Sequence, residues 1–555
     1  MNEIGYIYKF IPNREEIEII SSKFNLNKYI SAVLIQYFGF DIDKIHKFLN
    51  PNTNYLHDPF LLDGIEKCLD IIYTSIKNHE NILIYGDYDV DGITGVSILY
   101  RFLQKNFKLG HLLSYKTASR FDSGYGLSID VVNYAIKNSI KLIITVDCGT
   151  KDYEPIDFAI NNGLNVVVID HHEFGDRANI ANAILNPKVL NSKYPFRDLS
   201  GCGVVFKMLQ AFCIRFKIND DVYDYLDLLA LSICCDIVPL VDENRILLVK
   251  GLEKINNNPQ LGLKCLIANL ELKNIDTNDI SLKIGPRINS PGRIGSPLLC
   301  VDLFTNDDIN VVNKLIDELN STFVIRKKLC SDAMIDIEKN IDTEDKTIPT
   351  IVYKNDWNLG ILGILASKCV EKKYVPSVVM SDKNEDYIVG SVRSIEGIDI
   401  VNILSSCKDL LVKFGGHKMA AGFSLKKNNL NEFKKMFSKN VSNLLKNGSF
   451  KFNISINLKL PIKYITGAFY KDLSKLSPFG FCNSSPIFES IVLFVDSSFS
   501  YNDTICKIKI DNSKDIYGII RGKNIIVTGF KIIQYSVFFD NVVGLDIFNI
   551  LDVSK

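Results

Sequence analysis

With 555 residues, 47% of them apolar, the chain holds enough material for several cores, about three or four at the usual domain size. Its 64 basic and 64 acidic side chains cancel, so affinity for a polyanion has to come from a local basic surface and not from the field of the whole molecule. No uncharged apolar stretch reaches spanning length, Glu3, Glu15, Glu16 and Glu18 interrupt any leader-like start, and 13 cysteines lack a Cys-x-x-Cys pair; membrane, secreted and structural-zinc classes are set aside for a cytoplasmic expectation with reduced thiols.

Residues 1–79 read as a helical region, with an apolar face over 30–40 and a turn at Phe48-Leu49-Asn50-Pro51. From 80 a regular alternation begins. Strand 82–85 is followed by a helix with Val96, Leu99, Tyr100 and Leu103 on one face, strand 112–115, a helix capped by Ser128, strand 142–146, a further helix, strand 166–169 and Ile184-Leu185. Strands alternating with helices imply a parallel sheet covered on both faces. A long helix over 302–339, with Leu315, Leu319, Phe323 and Ile325 apolar and Arg326-Lys327-Lys328 exposed, joins this lobe to a second α/β unit. That unit has strands at 351–353, 377–380 and 388–392 and a helix over 362–370. Short alternating strands after 450 (452–458, 491–495, 505–510, 516–520) suggest a small barrel.

The chemistry gathers where the first lobe's strands end. Asp87, Asp89 and Asp91 follow the first strand, Asp147-Cys148-Gly149 the third and Asp170-His171-His172 the fourth. Ligands of open α/β sheets bind at the carboxyl ends of the strands, so three acidic clusters converge on one edge. Asp-x-Asp-x-Asp-Gly also opens an EF-hand loop, but that loop needs Glu at its twelfth position, here Ile98, and a helix before it, where a strand pattern stands. A solvated acidic turn is the other plain reading. Converging carboxylates repel unless a cation lies among them, and two of only seven histidines stand together beside Asp170, which favours a metal site. Carboxylate and imidazole without thiolate suit Mn²⁺ or Mg²⁺ better than zinc. Asp236, after the apolar run Leu226, Leu229, Ala230, Ile233 and before Val238-Pro239, reads as a helix cap or a further ligand.

Gly86-Asp87-Tyr88-Asp89-Val90-Asp91-Gly92, Val146-Asp147-Cys148-Gly149, Asp170-His171-His172 and Asp236-Ile237-Val238-Pro239-Leu240 resemble the four motifs of the DHH phosphoesterases. Ser119-Arg120-Phe121, Gly124-Tyr125-Gly126-Leu127, Glu243-Asn244-Arg245, Gly285-Pro286-Arg287-Ile288-Asn289 and Gly292-Arg293 are similar to segments of the bacterial single-stranded-DNA-specific exonucleases within that superfamily. Gly390-Ser391-Val392-Arg393-Ser394 and the run from Gly415 to Gly422 resemble a DHHA1 domain. The likeness covers about residues 40–425. It implies that Asp87, Asp89, Asp91, Asp147, His171 and Asp236 hold two divalent ions, Mn²⁺ or Mg²⁺. Asp147 would bridge them, Asp87 would be an auxiliary ligand or a group supporting the ligands from behind, Asp170 would orient the histidines and His172 would face the substrate phosphate. Two such ions about 3.5–4 Å apart can generate a hydroxide, polarise phosphorus and stabilise the leaving oxygen. His172 and Asp147 are thus the catalytic expectations.

Substrate contacts are expected from Arg120, Asn289, Arg293, Ser391, Arg393, Gly415, Gly416 and His417, the second lobe clamping the DNA backbone and its 5′ phosphate with Arg120 and Arg293 across the cleft. The Gly-Gly-His segment is read as a turn whose amides approach phosphate. Two departures from the family pattern stand out: Trp357-Asn358 where Trp-His is usual, and Gly480-Phe481-Cys482-Asn483 where Gly-x-Gly-Asn is usual. The expected architecture is α/β: N-terminal helical region 1–79, parallel-sheet DHH domain 80–300, connecting helix 301–345, smaller α/β DHHA1 domain 346–448 and C-terminal OB-like β-barrel 449–555. The implied function is 5′→3′ hydrolysis of single-stranded DNA by a monomer in recombination and repair. Single-strand-binding protein and a repair helicase are the implied partners. Its competitors are a phosphodiesterase on short oligoribonucleotides or small nucleotides, a non-catalytic single-strand-binding replication scaffold and a two-metal pyrophosphatase, which would be much shorter.

Overall fold

The computed structural model describes residues 4–119, 126–175, 177, 179–339, 341, 345–448, 450, 452–500, 505–510, 517–521, 529–540 and 542–552. The first element departs from the helical expectation: β1 (Ile4–Tyr8), built of β-branched and aromatic residues around Gly5, pairs in parallel with residues 452–456. The helices Arg14–Phe24, Lys28–Phe38 and Ile42–Leu49 follow and close a core with Leu460, Phe469, Leu473 and Phe488. Only the helix Ile65–Lys77 among the early helices buries its apolar face against the next sheet. The first 79 residues are therefore divided between two cores.

That sheet has the order β3-β2-β4-β5-β6 and is parallel throughout: β2 (Asn81–Gly86), β3 (Leu113–Thr117), β4 (Ile140–Val146), β5 (Asn165–Ile169) and β6 (Ala183–Leu185). Successive side chains go to opposite faces. Ile82, Ile84, Ile144, Val146, Val167 and Ile169 enter a large core with the helices Val90–Phe107, Gly201–Phe216 and Leu226–Cys235. Leu83, Tyr85, Ile143, Val166 and Val168 enter a smaller one under the helices Ile129–Lys137 and Tyr153–Asn161. Burial on both faces explains why these strands read as unbroken apolar runs.

A 30-residue helix, Ile309–Glu338, about 45 Å long at 1.5 Å per residue, leaves this lobe. Its Val312, Ile316 and Leu319 belong to the first lobe's core, whereas Cys330, Ala333, Met334 and Ile337 pack with Trp357, Leu362 and Leu365 of the second. The second lobe is a mixed sheet of order β10-β11-β9-β8-β7, formed by β7 (Thr350–Tyr353), β8 (Ser377–Asp382), β9 (Tyr387–Arg393), β10 (Leu411–His417) and β11 (Ala420–Lys426). Asn358 caps the turn Leu359–Ile361 by accepting from the Gly360 N–H. Gly360 is required there, because a Cβ would stand 1.8 Å from the Arg293 carbonyl of the other lobe.

The C-terminal lobe adds β12 (Phe452–Ile456), β13 (Leu458–Lys459), β14 (Phe488–Ser500), β15 (Ile505–Ile510), β16 (Tyr517–Arg521), β17 (Gly529–Asp540) and β18 (Val542–Asp552). Strands β14 to β18 pair around a ring, β14-β15-β16-β18-β17 and back to β14, with β16 and β18 parallel. This is the connectivity of a small OB-like barrel. The lobe is tied to the first by Arg245, which donates to the carbonyls of Phe48, Lys475, Leu476 and Ser477. Leu240 N–H donates to the Phe481 carbonyl in the same region. Cys482 adopts φ 61° where the related pattern has glycine, and the turn still closes, because buried Asn483 donates to the carbonyls of Leu476 and Pro478.

Candidate active site

Backbone pairing brings the acidic loops side by side. Asp87 N–H donates to Val146, Asp147 N–H to Ile169 and Asp170 N–H to Leu185, so each acidic residue leaves its strand in register with the next. Asp89 caps the helix Val90–Phe107, its carboxylate accepting from Asp91 and Gly92 N–H. Gly92 is forced, since a Cβ would lie 2.6 Å from the Asp87 nitrogen. Asp91 is held from the far side: the Gly201 and Cys202 amides at the start of the helix Gly201–Phe216 donate to it at 2.7 and 2.8 Å, and the Ser232 hydroxyl at 2.7 Å. Asp147 takes φ 60°, an unfavoured conformation for a non-glycine residue, and Gly201 leaves it room.

At the centre, His171 Nε2 lies 3.2 Å from Asp147, 3.5 Å from Asp236 and 3.6 Å from Asp91 carboxylate oxygens. The atom is buried and makes no hydrogen bond. Three sets of donor atoms lie within 4.8 Å of one another: Asp87, Asp89 and Asp147; Asp91, His171 and Asp236; Asp147, His171 and His172. Asp147 and His171 each belong to two sets. Burial and then the neighbouring carboxylates push Asp147 well above the usual carboxylate range, raise Asp89 and bring Asp236 to about 9. Burial also lowers His171, leaving the imidazole neutral and able to donate a lone pair to a metal. Crowded carboxylates that resist ionising and an imidazole nitrogen without a partner fit a divalent cation held by oxygen and nitrogen donors.

Asp170 stands behind the histidines. Its Oδ1 accepts from the His171 and His172 amides and lies 2.7 Å from His172 Nδ1, while Oδ2 accepts from Thr150 N–H. Burial raises Asp170, but the hydrogen bond and charge of His172 outweigh it and hold the group ionised. Burial opposes the charge on His172, yet Asp170 raises it to about 9.

The expected substrate contacts are distributed around this centre. His417 reaches from the second lobe into the same pocket, of 240 Å³, that His171, His172 and Asp236 line. Gly415 and Gly416 are not in a turn, as the sequence suggested, but in the edge strand β10. They pair there with Gly422 and Ala421, and Gly416 has no room for a side chain against Ala421. Arg393 Nη1 donates to the Ser391 hydroxyl and the Val392 carbonyl at the end of β9. Arg293 donates to the Gly360 carbonyl across the lobes. Asn289 Oδ1 accepts from Val90 N–H and so steadies the acidic loop. Arg120 lies outside the described residues. Sequence reasoning missed Gly201, Cys202 and Ser232, although Ser200 ahead of two glycines at a helix start was a legible cap signal.

The sheet, the acidic edge and the helix-linked second lobe define a phosphoesterase of the DHH class. The DHH family, N-terminal domain, matches residues 81–233, and the DHHA1 domain matches residues 347–443. The single-stranded-DNA-specific exonuclease RecJ of Haemophilus influenzae is 31% identical over 73% of this chain and 72% of its own length; that of Bacillus subtilis is 31% identical over 92% of this chain. The chain spans 65% of the Bacillus subtilis relative's length. A crystal structure of RecJ with Mn²⁺ from Thermus thermophilus superposes with a TM-score of 0.86 at 22% identity, covering 100% of this chain and 80% of that one. The chain belongs to the RecJ family of single-stranded-DNA-specific exonucleases.

Proposed function

We propose that the chain removes nucleotides from the 5′ end of single-stranded DNA in recombination and repair, using two divalent ions. Asp87, Asp89 and Asp147 would hold one ion and Asp91, His171 and Asp236 the other, with Asp147 shared. The observation that carries the reading is the buried His171 Nε2, without a hydrogen bond, among three carboxylates. When bound, the ions supply a nucleophile at neutral pH and clamp the attacking and leaving oxygens of an in-line displacement. The chain's own groups do the positioning. Asp170 keeps the His172 imidazole protonated and turned toward the pocket, where it donates to a phosphate oxygen. His417 closes the pocket from the second lobe, and Ser391 and Arg393 present a hydroxyl and a guanidinium to the 5′ phosphate.

The test is digestion of end-labelled single strands, DNA and RNA, with Mn²⁺, Mg²⁺ or chelator. Release of nucleotides from the 5′ end of DNA with either metal, and none with chelator, is expected. Metal-independent hydrolysis, or release confined to very short oligoribonucleotides, would remove the proposal.

A further inference from the structure

Two pockets meet at Ile237. One is the 240 Å³ pocket with Asp236, His171 and His417 on its walls. The other, of 400 Å³, lies within the usual range of about 300–1,000 Å³ for a small-molecule site and is largely apolar. Its walls include Ile233, Ile364, Phe479 and Phe481, with charge supplied by Arg293 and Arg326. Ile237 and Val238 line both. Ile237 is held at φ 57°, a conformation that β-branched side chains avoid, and yet it is 66% exposed. A bulky apolar side chain held in strain toward water, directly after Asp236, suits a contact made with a ligand.

On the charged side of the larger pocket Arg293 is engaged by the Gly360 carbonyl, whereas Arg326 stands beside a second arginine, Arg287. Arg287 and Arg326 lie 4.3 and 5.0 Å from the centre of the Phe323 ring; Arg287 Nη1 donates to the Lys283 carbonyl, and the Nε of each is buried with no hydrogen-bond partner. Burial lowers both guanidiniums, Arg326 lowers Arg287 further, and among the described residues no carboxylate offsets either. Adjacent arginines without an acid between them favour an anion as partner.

We infer that the larger pocket seats the base of the nucleotide on the 3′ side of the scissile phosphate, that Arg326, with Arg287 behind it, takes the following phosphate, and that Ile237 is the post around which the strand turns. This rests on the exonuclease reading and extends it by naming what holds the strand beyond the cut. Apolar and aromatic walls recognise any base by its face, so the pocket is tolerant of sequence but not of a missing base.

The test compares an intact strand with one that lacks the base of the second nucleotide from the 5′ end. Binding is followed by fluorescence polarisation under chelator, and KM and kcat are measured with Mn²⁺. For the wild type the missing base should weaken binding and raise KM about tenfold, while an abasic site far along the strand changes neither. Ile237→Asn suits the left-handed backbone, so its melting temperature should not fall. It should bind the intact strand about tenfold more weakly, with no added loss on the abasic strand. Arg326→Gln should lower affinity for both strands and reduce the salt dependence by about one phosphate contact. Wild-type binding indifferent to the missing base, or Ile237→Asn with the wild-type KM, overturns the inference and leaves the exonuclease reading standing. Failure of the wild type to cut any single strand with Mn²⁺ overturns that reading instead, and the binding comparison under chelator still decides the pocket.

Discussion

Asp147 is the residue on which the metal proposal depends most. It leaves β4 with a positive φ, faces Gly201 and belongs to two of the three possible donor sets. Asp147→Ala should abolish hydrolysis while single-strand binding, carried by the cleft and the barrel, stays within about a few-fold. Measurable turnover of labelled strands by the variant would end its bridging role. Arg393 ends β9, where its guanidinium donates to the Ser391 hydroxyl at 3.1 Å. Arg393→Ala should erase the preference for a 5′ phosphate over a 5′ hydroxyl and cost about 1.5–3 kcal/mol in apparent affinity, the range for a hydrogen bond to a charged group. Competition between the two ends in one reaction measures this directly; an unchanged preference would assign the clamp elsewhere.

Among the elements, the helices Gly201–Phe216 and Asp242–Asn257 are locked by a polar contact wholly inside the protein. Lys207 and Glu243 pair at 2.9 Å with both side chains at 0% exposure, Lys207 also donates to the His57 carbonyl, and the Tyr194 hydroxyl donates to Glu243. The Glu243-Asn244-Arg245 segment that the family resemblance singles out is thus structural: Asn244 donates to the Asp198 and Pro239 carbonyls, and Arg245 reaches the C-terminal lobe. Because the helix Gly201–Phe216 also presents the amides that hold Asp91, loosening it should reach the metal site. Glu243→Ala leaves a buried ammonium without its partner and should lower stability by about 3–5 kcal/mol, read by urea denaturation. A loss under about 1 kcal/mol would mean that water repairs the contact.

At the scale of the molecule, one long helix is rooted in two cores, so the lobes stand at a defined separation and the acidic edge lies between them. On the proposed reading a strand enters that space unpaired. Opening a duplex costs on average about 1.4 kcal/mol per base-pair step. A blunt duplex should therefore resist digestion, a 5′ overhang should shorten and stall near the junction, and a 3′ overhang of equal length should survive. Both overhangs on one labelled duplex with Mn²⁺ make the comparison. Equal loss of the two, or ready attack on the blunt end, would overturn the threaded-cleft proposal. No helix among the described residues is long and apolar enough to cross a membrane.

The parallel sheet was legible in the sequence because its three central strands are buried on both faces and read as apolar runs, each ending in the acids that converge at its edge. The chain order of Asp87, Asp89, Asp91, Asp147 and His171 carried most of the candidate site for the same reason: strand ends are local features, and a parallel sheet brings them together, whereas Asp236, at the end of the helix Leu226–Cys235, was singled out by the family resemblance. What holds those residues was not legible. The amides that fix Asp91 come from a helix start 110 residues downstream, and the groups that meet at Ile237 come from the first lobe, the connecting helix, the second lobe and the C-terminal lobe. Nor did periodicity separate the early helices that complete the C-terminal core from the later one that covers the sheet, because an apolar face records that it is buried but not against what. Local pattern determined the strands, the helices and the acidic chemistry; tertiary packing alone decided which distant backbone would hold the acids and which surfaces would meet around them.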